Sequence, residues 1–210
     1  MREKFKLREM EMFRLRGLLF LGLAALAAGL CGCTTEPVVF AEALQMRQGD
    51  KVYTKYNIWY TDPMNINCLN IQEGSFIPIG TEIVPINTES SIFGDRINFR
   101  DTNGKEYSIR FDIGRRLVAM RDFVGATFTT SDRQTLLKDV PKVIVPRVLR
   151  GEVVPGMNQA QVLLTYGPPP ACRTPDLRNE SWIYWIGEEK TIRLVFRGDK
   201  VVNIININQN

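Results

Sequence analysis

Hydrophobic positions fall into four stretches of different character along the chain. The first, Leu18 to Leu30, is apolar throughout: 13 residues without a charge. As a helix it would extend roughly 20 Å, short of a bilayer core of about 30 Å. Residues 34–48 show no clear period, although Glu42–Arg47 supports a turn or two of helix stopped by Gly49. From Lys51 to Phe111 the pattern is that of strands. Val52–Tyr56 and Ile58–Tyr60 are rich in aromatic and β-branched residues and end at Asp62-Pro63. Pro78 and Pro85 place the run Phe76–Ile86 at an edge or a bulge. Ile92-Phe93 and Ile97–Arg100 lead into Asn103-Gly104, a hairpin turn. Tyr107, Ile109 and Phe111 then alternate on one face. Short strands this closely spaced predict a small barrel or curled sheet.

Residues 112–150 are mixed. Arg115–Phe123 has helical character, Ala126–Thr129 looks extended, and Ser131-Asp132 offers an N-cap to a short helix reaching Lys138. In the last stretch Asn158 caps a helix over Gln159–Tyr166, which Gly167 and Pro168 end. Met157, Gln161, Leu164 and Thr165 share one of its faces. Three strand-like runs follow, Ser181–Ile186, Thr191–Phe196 and Val201–Ile207, with turns at Glu188-Glu189 and Gly198-Asp199. They form an antiparallel meander. The expected fold class is α+β: a small β-barrel-like domain over 50–135, then a helix-plus-sheet domain over 146–210.

Charge and composition change this picture mainly at the N-terminus. Arg2, Lys4, Lys6, Arg8, Arg14 and Arg16 precede the apolar run, and small residues follow it. That order reads as a secretory signal peptide over 1–32. Removing it discards six basic and three acidic residues, which takes the formal charge from +4 to about +1. The basic balance therefore gives no reason to expect a nucleic-acid partner. The chain contains no histidine, which removes the usual general base, the usual zinc ligand and every Ser-His or Cys-His pair. No enzyme, metal or cofactor is expected.

Leu30-Cys31-Gly32-Cys33 resembles the lipobox of bacterial lipoproteins, an aliphatic residue three places before a cysteine and a small one just before it. The resemblance implies cleavage before Cys33, its diacylation, and acylation of the new amino terminus. Cys31 fits worse, because Leu30 would then fill the small-residue position. Each buried methylene contributes about 0.8 kcal/mol, so three chains make a lasting anchor where one holds marginally. Residues 33–49 then read as a lipid-anchored tether. Thr34 rather than Asp follows Cys33, which in enterobacterial lipoproteins favours the outer membrane; a periplasm-facing position there is expected.

Gly156-Met157, Gln161-Val162, Tyr166-Gly167-Pro168, Trp182-Ile183-Tyr184 and Val195-Phe196 with Lys200-Val201 resemble the SmpA/OmlA (BamE-like) lipoprotein domain. That family packs a helix pair on a three-stranded antiparallel sheet. The resemblance covers 146–210 and departs at the first helix, where Pro141 and Pro146 crowd the chain, and at the β-rich stretch 50–111, which small family members lack. It implies a non-enzymatic envelope lipoprotein that binds an envelope protein, with a link to outer-membrane assembly or maintenance. An alternative is a lipoprotein that binds peptidoglycan or another glycan by stacking sugars on Tyr53, Tyr56, Trp59 and Tyr60.

Few side chains stand out as sites. Cys68 and Cys172 either form a disulfide, which a secreted compartment permits, or remain separate thiols. Trp182 and Tyr184 are candidate interaction residues, since exposed aromatics anchor interfaces. Strand alternation, however, buries either that pair or Ile183 and Trp185. Arg110, Arg115, Arg116 and Arg121 form either a patch for anionic headgroups or a solvated face balanced by Asp112 and Asp122. Cys172 beside Arg173 is the best candidate nucleophile, but it lacks a base.

Overall fold

The computed structural model describes residues 38–91, 94–187 and 189–208. The signal-peptide stretch, Cys33, the run Ile92-Phe93 and Glu188 lie outside the described residues. The description starts with helix α1 (Val38–Leu44), inside the stretch read as a tether. Val39, Phe40, Ala43 and Leu44 make a narrow apolar stripe on it. Phe40 is fully buried, its ring 5.0 Å from that of Phe128. Burial of one such ring contributes about 1.5–3 kcal/mol. From residue 38 onward this segment is therefore part of the fold, a correction to the tether reading. The stripe is too short to give a clear period, which is why the sequence hid it.

The β-rich stretch builds a curled six-stranded sheet in the order β3-β7-β6-β5-β1-β8. Its strands are β1 (Val52–Thr54), β3 (Ile66–Asn67), β5 (Glu82–Ser91), β6 (Gly94–Asp101), β7 (Glu106–Phe111) and β8 (Phe128–Thr129). All neighbours are antiparallel except β3 and β7. A separate pair joins β2 (Ile58–Tyr60) to β4 (Ser75–Ile77). The predicted hairpin closes β6 onto β7. Gly104 takes φ 85, and Asp101 Oδ1 accepts from the N–H groups of Asn103 and Lys105. Pro85 sits in β5 where the register shifts, beyond Ile83 and Glu82, the positions that β1 pairs. The missing donor therefore breaks no ladder bond there. Tyr107, Ile109 and Phe111 point into the first hydrophobic cluster with Ile97, Phe99 and Phe128.

The expected helix over 115–123 is broken in two. Helix α2 (Ile113–Arg116) ends at Leu117, which adopts φ 56 and donates its N–H to the Ile113 carbonyl. Helix α3 (Met120–Thr127) then packs against α1. Helix α4 (Arg133–Leu137) starts at Asp132, whose carboxylate accepts from Thr135 N–H at 2.8 Å. Helix α5 (Val145–Leu149) carries Pro146 in its first turn, where no helical bond needs the missing N–H.

Helix α6 (Gln159–Tyr166) opens with a reciprocal cap. Asn158 Oδ1 accepts from Gln161 N–H at 2.9 Å, and Gln161 Oε1 accepts from Asn158 N–H at 3.0 Å. Gly167 closes it through a bond to the Leu163 carbonyl. The meander follows as expected, β9 (Ser181–Trp185), β10 (Lys190–Arg197) and β11 (Lys200–Asn208), in the order β11-β10-β9. Its inner face forms the second cluster with Val148, Met157 and Val162 from the helices and loops.

A buried polar seam joins the two clusters. Asn57, fully buried, donates to the carbonyls of Val148 (2.8 Å) and Thr165 (3.1 Å) and accepts from Ile79 N–H at 2.9 Å. Asn70 donates to the carbonyls of Asn57 and Tyr166 and accepts from Trp59 N–H. Gly167 lies so close to Tyr56 that an added Cβ would stand 2.6 Å from the ring. The β-rich and helix–meander stretches thus belong to one compact unit.

Candidate interaction surface

Trp182 and Tyr184 do not form a surface. Each is 1% exposed, because both point to the helix-covered face of the meander. The Tyr184 hydroxyl donates to the Gly167 carbonyl at 2.9 Å, and the Trp182 indole donates to the Leu177 carbonyl at 3.1 Å. Burial pushes the Tyr184 hydroxyl well above the usual tyrosine range. This corrects the expectation that the pair faces a partner.

Cys68 and Cys172 are both free, so the structure contains no disulfide between them. Cys68 is packed in the first cluster, and Cys172 is exposed in the loop after α6. Desolvation raises the Cys68 thiol pKa. Arg173 stacks its guanidinium 5.1 Å from the Trp185 ring.

The four arginines also separate. Arg116 is buried with its guanidinium against Phe123 and so leaves the surface patch. Arg115 pairs with Asp112 at 3.4 Å and Arg121 with Asp122 at 3.8 Å. Of the candidate sugar platforms, Tyr56 is buried with its hydroxyl 3.0 Å from Thr127 Oγ1, and Trp59 packs on Phe76. Tyr60 remains half-buried and accepts from Lys105 Nζ at 3.0 Å. A cavity of about 150 Å³ lies beside it, lined by Trp59, Tyr60, Asn65, Asn67, Glu73 and Arg110.

The meander's other face is only partly open, with Arg193 and Ile205 exposed and Thr191 buried, and one edge faces outward. Cross-strand registry aligns Ile183, Arg193 and Ile205 in one row, and Trp185, Thr191 and Ile207 in the next. β11 is the terminal strand of this sheet. At its start, Val201 exchanges bonds with Gly156 and Met157. Past Val201 no backbone bond reaches that edge among the described residues. Phe196 sends its N–H to Glu180, on the β9 side. Alternation then directs Val195, Arg193 and Thr191 to Asn203, Ile205 and Ile207, so Ile204 and Asn206 aim their main-chain groups outward. Ile204 N–H is held by the neighbouring Asn203 side chain at 2.9 Å.

Residues 201–208, Val-Val-Asn-Ile-Ile-Asn-Ile-Asn, contain neither charge nor proline, the usual devices that blunt an edge. That absence was visible in the sequence; which side of β11 stays unpaired was not. The chemistry on offer is main-chain pairing with flanking aliphatic contacts. Among the described residues, no group of three Cys, Asp or Glu side chains is placed to hold a metal. No family model, curated protein or solved structure matches the chain.

Proposed function

We propose that this chain is a lipid-anchored bacterial envelope protein that works by binding, taking an extended segment of an envelope protein along β11. The observation that carries this is the open, uncharged edge of β11 beyond Val201. Such an edge gains a strand by main-chain hydrogen bonding, with side-chain contacts setting specificity. The lipobox ending at Cys33 supports the anchor. Support for an SmpA/OmlA-like role in outer-membrane assembly or maintenance comes from the order of elements: α5, α6, then a three-stranded antiparallel meander.

Photo-crosslinking in cells tests the partner. A crosslinking residue at Asn206 is expected to capture one envelope protein reproducibly, while one at Val143, exposed in the turn before α5, captures none. Equal capture at both positions sinks the edge as a binding site. Intact mass and membrane fractionation of wild type and Cys33→Ala test the anchor. A triacylated, membrane-bound chain starting at Cys33 is expected, and an unmodified soluble one refutes it.

A second reading, glycan binding, has the cavity beside Trp59 and Tyr60 in its favour, since it combines aromatic and polar walls. Co-sedimentation with purified sacculi that is lost in Tyr60→Ala supports this reading. Absence of wild-type sedimentation removes it.

A further inference from the structure

We propose that the α2 turn is a membrane-contact element that places Ile113 and Leu117 in the headgroup boundary of a lipid bilayer, an inference that rests on the lipid-anchor reading above. Ile113 and Leu117 are 61% and 59% exposed, among the most open aliphatic side chains of the described residues. They stand four positions apart and flank one helical turn, Ile113 as its first residue and Leu117 as its left-handed cap.

Leu117 breaks two local rules at once. It occupies the left-handed cap position at φ 56, where glycine or asparagine is the usual choice, and it shows an aliphatic side chain to water. Neither feature serves the fold: the side chain is open, and glycine would make the same cap bond. A lipid surface gives both features a use.

The charges around the turn suit phosphate headgroups. Arg110, Arg115 and Arg121 are exposed beside it, and Arg116 lies buried behind it. Asp95, Asp112 and Asp122 are the opposing charges: Asp95 lines a hollow with Arg110, Ile113 and Arg115, and Asp112 and Asp122 sit in exposed pairs that solvent weakens. The arginine side chains reach water while the two aliphatic tips point out, the pattern of an interfacial segment. The anchor keeps a membrane close. Four residues, Thr34 to Pro37, separate Cys33 from Val38, a reach of about 18 Å at most. Helix α1, which follows, packs on α3, and α3 continues directly from the turn.

Bromolipid quenching on the full-length lipidated protein in vesicles tests this. Leu117→Trp adds a fourth tryptophan to the native three, and its emission is read as a difference from wild type. Vesicles of brominated phosphatidylcholine, with and without phosphatidylglycerol, are compared, with Val143→Trp as the exposed reference. Insertion to about 5–10 Å predicts blue-shifted emission quenched at least about twofold more than at the reference position. Ile113→Trp, at an ordinary helical position, gives a second measurement should Leu117→Trp fail to fold.

Quenching no stronger than at Val143 in vesicle-bound protein overturns the contact and leaves the anchor standing. An unacylated chain that does not float with vesicles overturns both. Quenching that persists in Cys33→Ala supports the contact without the anchor. Crosslinks from the turn to a protein, with no quenching, assign it to a protein interface instead.

Discussion

Asn57 spends its whole side chain on backbone groups of three other segments: the turn at Ile79 after β4, α5 and α6. Asn57→Ala leaves the Ile79 N–H and the Thr165 carbonyl without that partner in a dry place, while the Val148 carbonyl keeps the Gly151 N–H. At about 1–3 kcal/mol for an orphaned buried group, a loss of roughly 3 kcal/mol is expected in urea unfolding. Glu152 illustrates the exposed counterpart. Side-chain bonds from Arg150 and Arg147 lower its pKa from 4.5 to about 2. Because the folded value lies below the unfolded one, this pairing stabilises the protein above about pH 4.5 and fades as pH falls toward 2. In Arg150→Ala the Glu152 titration, followed by NMR, should move back toward its ordinary value. The cysteines give a third check. In the folded protein Cys172 should react with a thiol reagent at once, and Cys68 only on unfolding, as read by peptide mapping.

Caps and turns decided where helices and strands begin and end, and these were the most legible features. The Asn158 cap, the Gly167 stop, the Asn103-Gly104 hairpin and the Asp132 cap are local events between residues a few positions apart. Pattern and result agree there. The split between α2 and α3 was not legible, because nothing in Arg116-Leu117-Val118 announces a left-handed residue; leucine is an unfavoured choice for one. Leu117→Gly should therefore raise stability by roughly 0.5–1 kcal/mol in thermal unfolding while removing an exposed aliphatic group. Gly167→Ala should do the opposite. Its φ of 73 and the Tyr56 ring at 2.6 Å from the added Cβ predict a loss of roughly 2 kcal/mol.

The seam makes the two hydrophobic clusters one cooperative body. Urea unfolding should show a single transition by tryptophan fluorescence and by far-UV circular dichroism, with coincident midpoints; two separated transitions would mean independent domains. Burial choices also belong to this level. Strand alternation allowed either Trp182 and Tyr184 or Ile183 and Trp185 inside, and the helices covering one face chose the first pair. The sequence by itself determined most of the strand-and-helix order, the caps and the α+β class, because these depend on neighbours along the chain. Tertiary structure alone decided that α1 is packed, that Cys68 and Cys172 stay apart, that Arg116 is buried, and that one edge of β11 is left open. Each of those depends on which distant segment arrives to exclude water or supply a hydrogen bond, and no local pattern encodes that arrival.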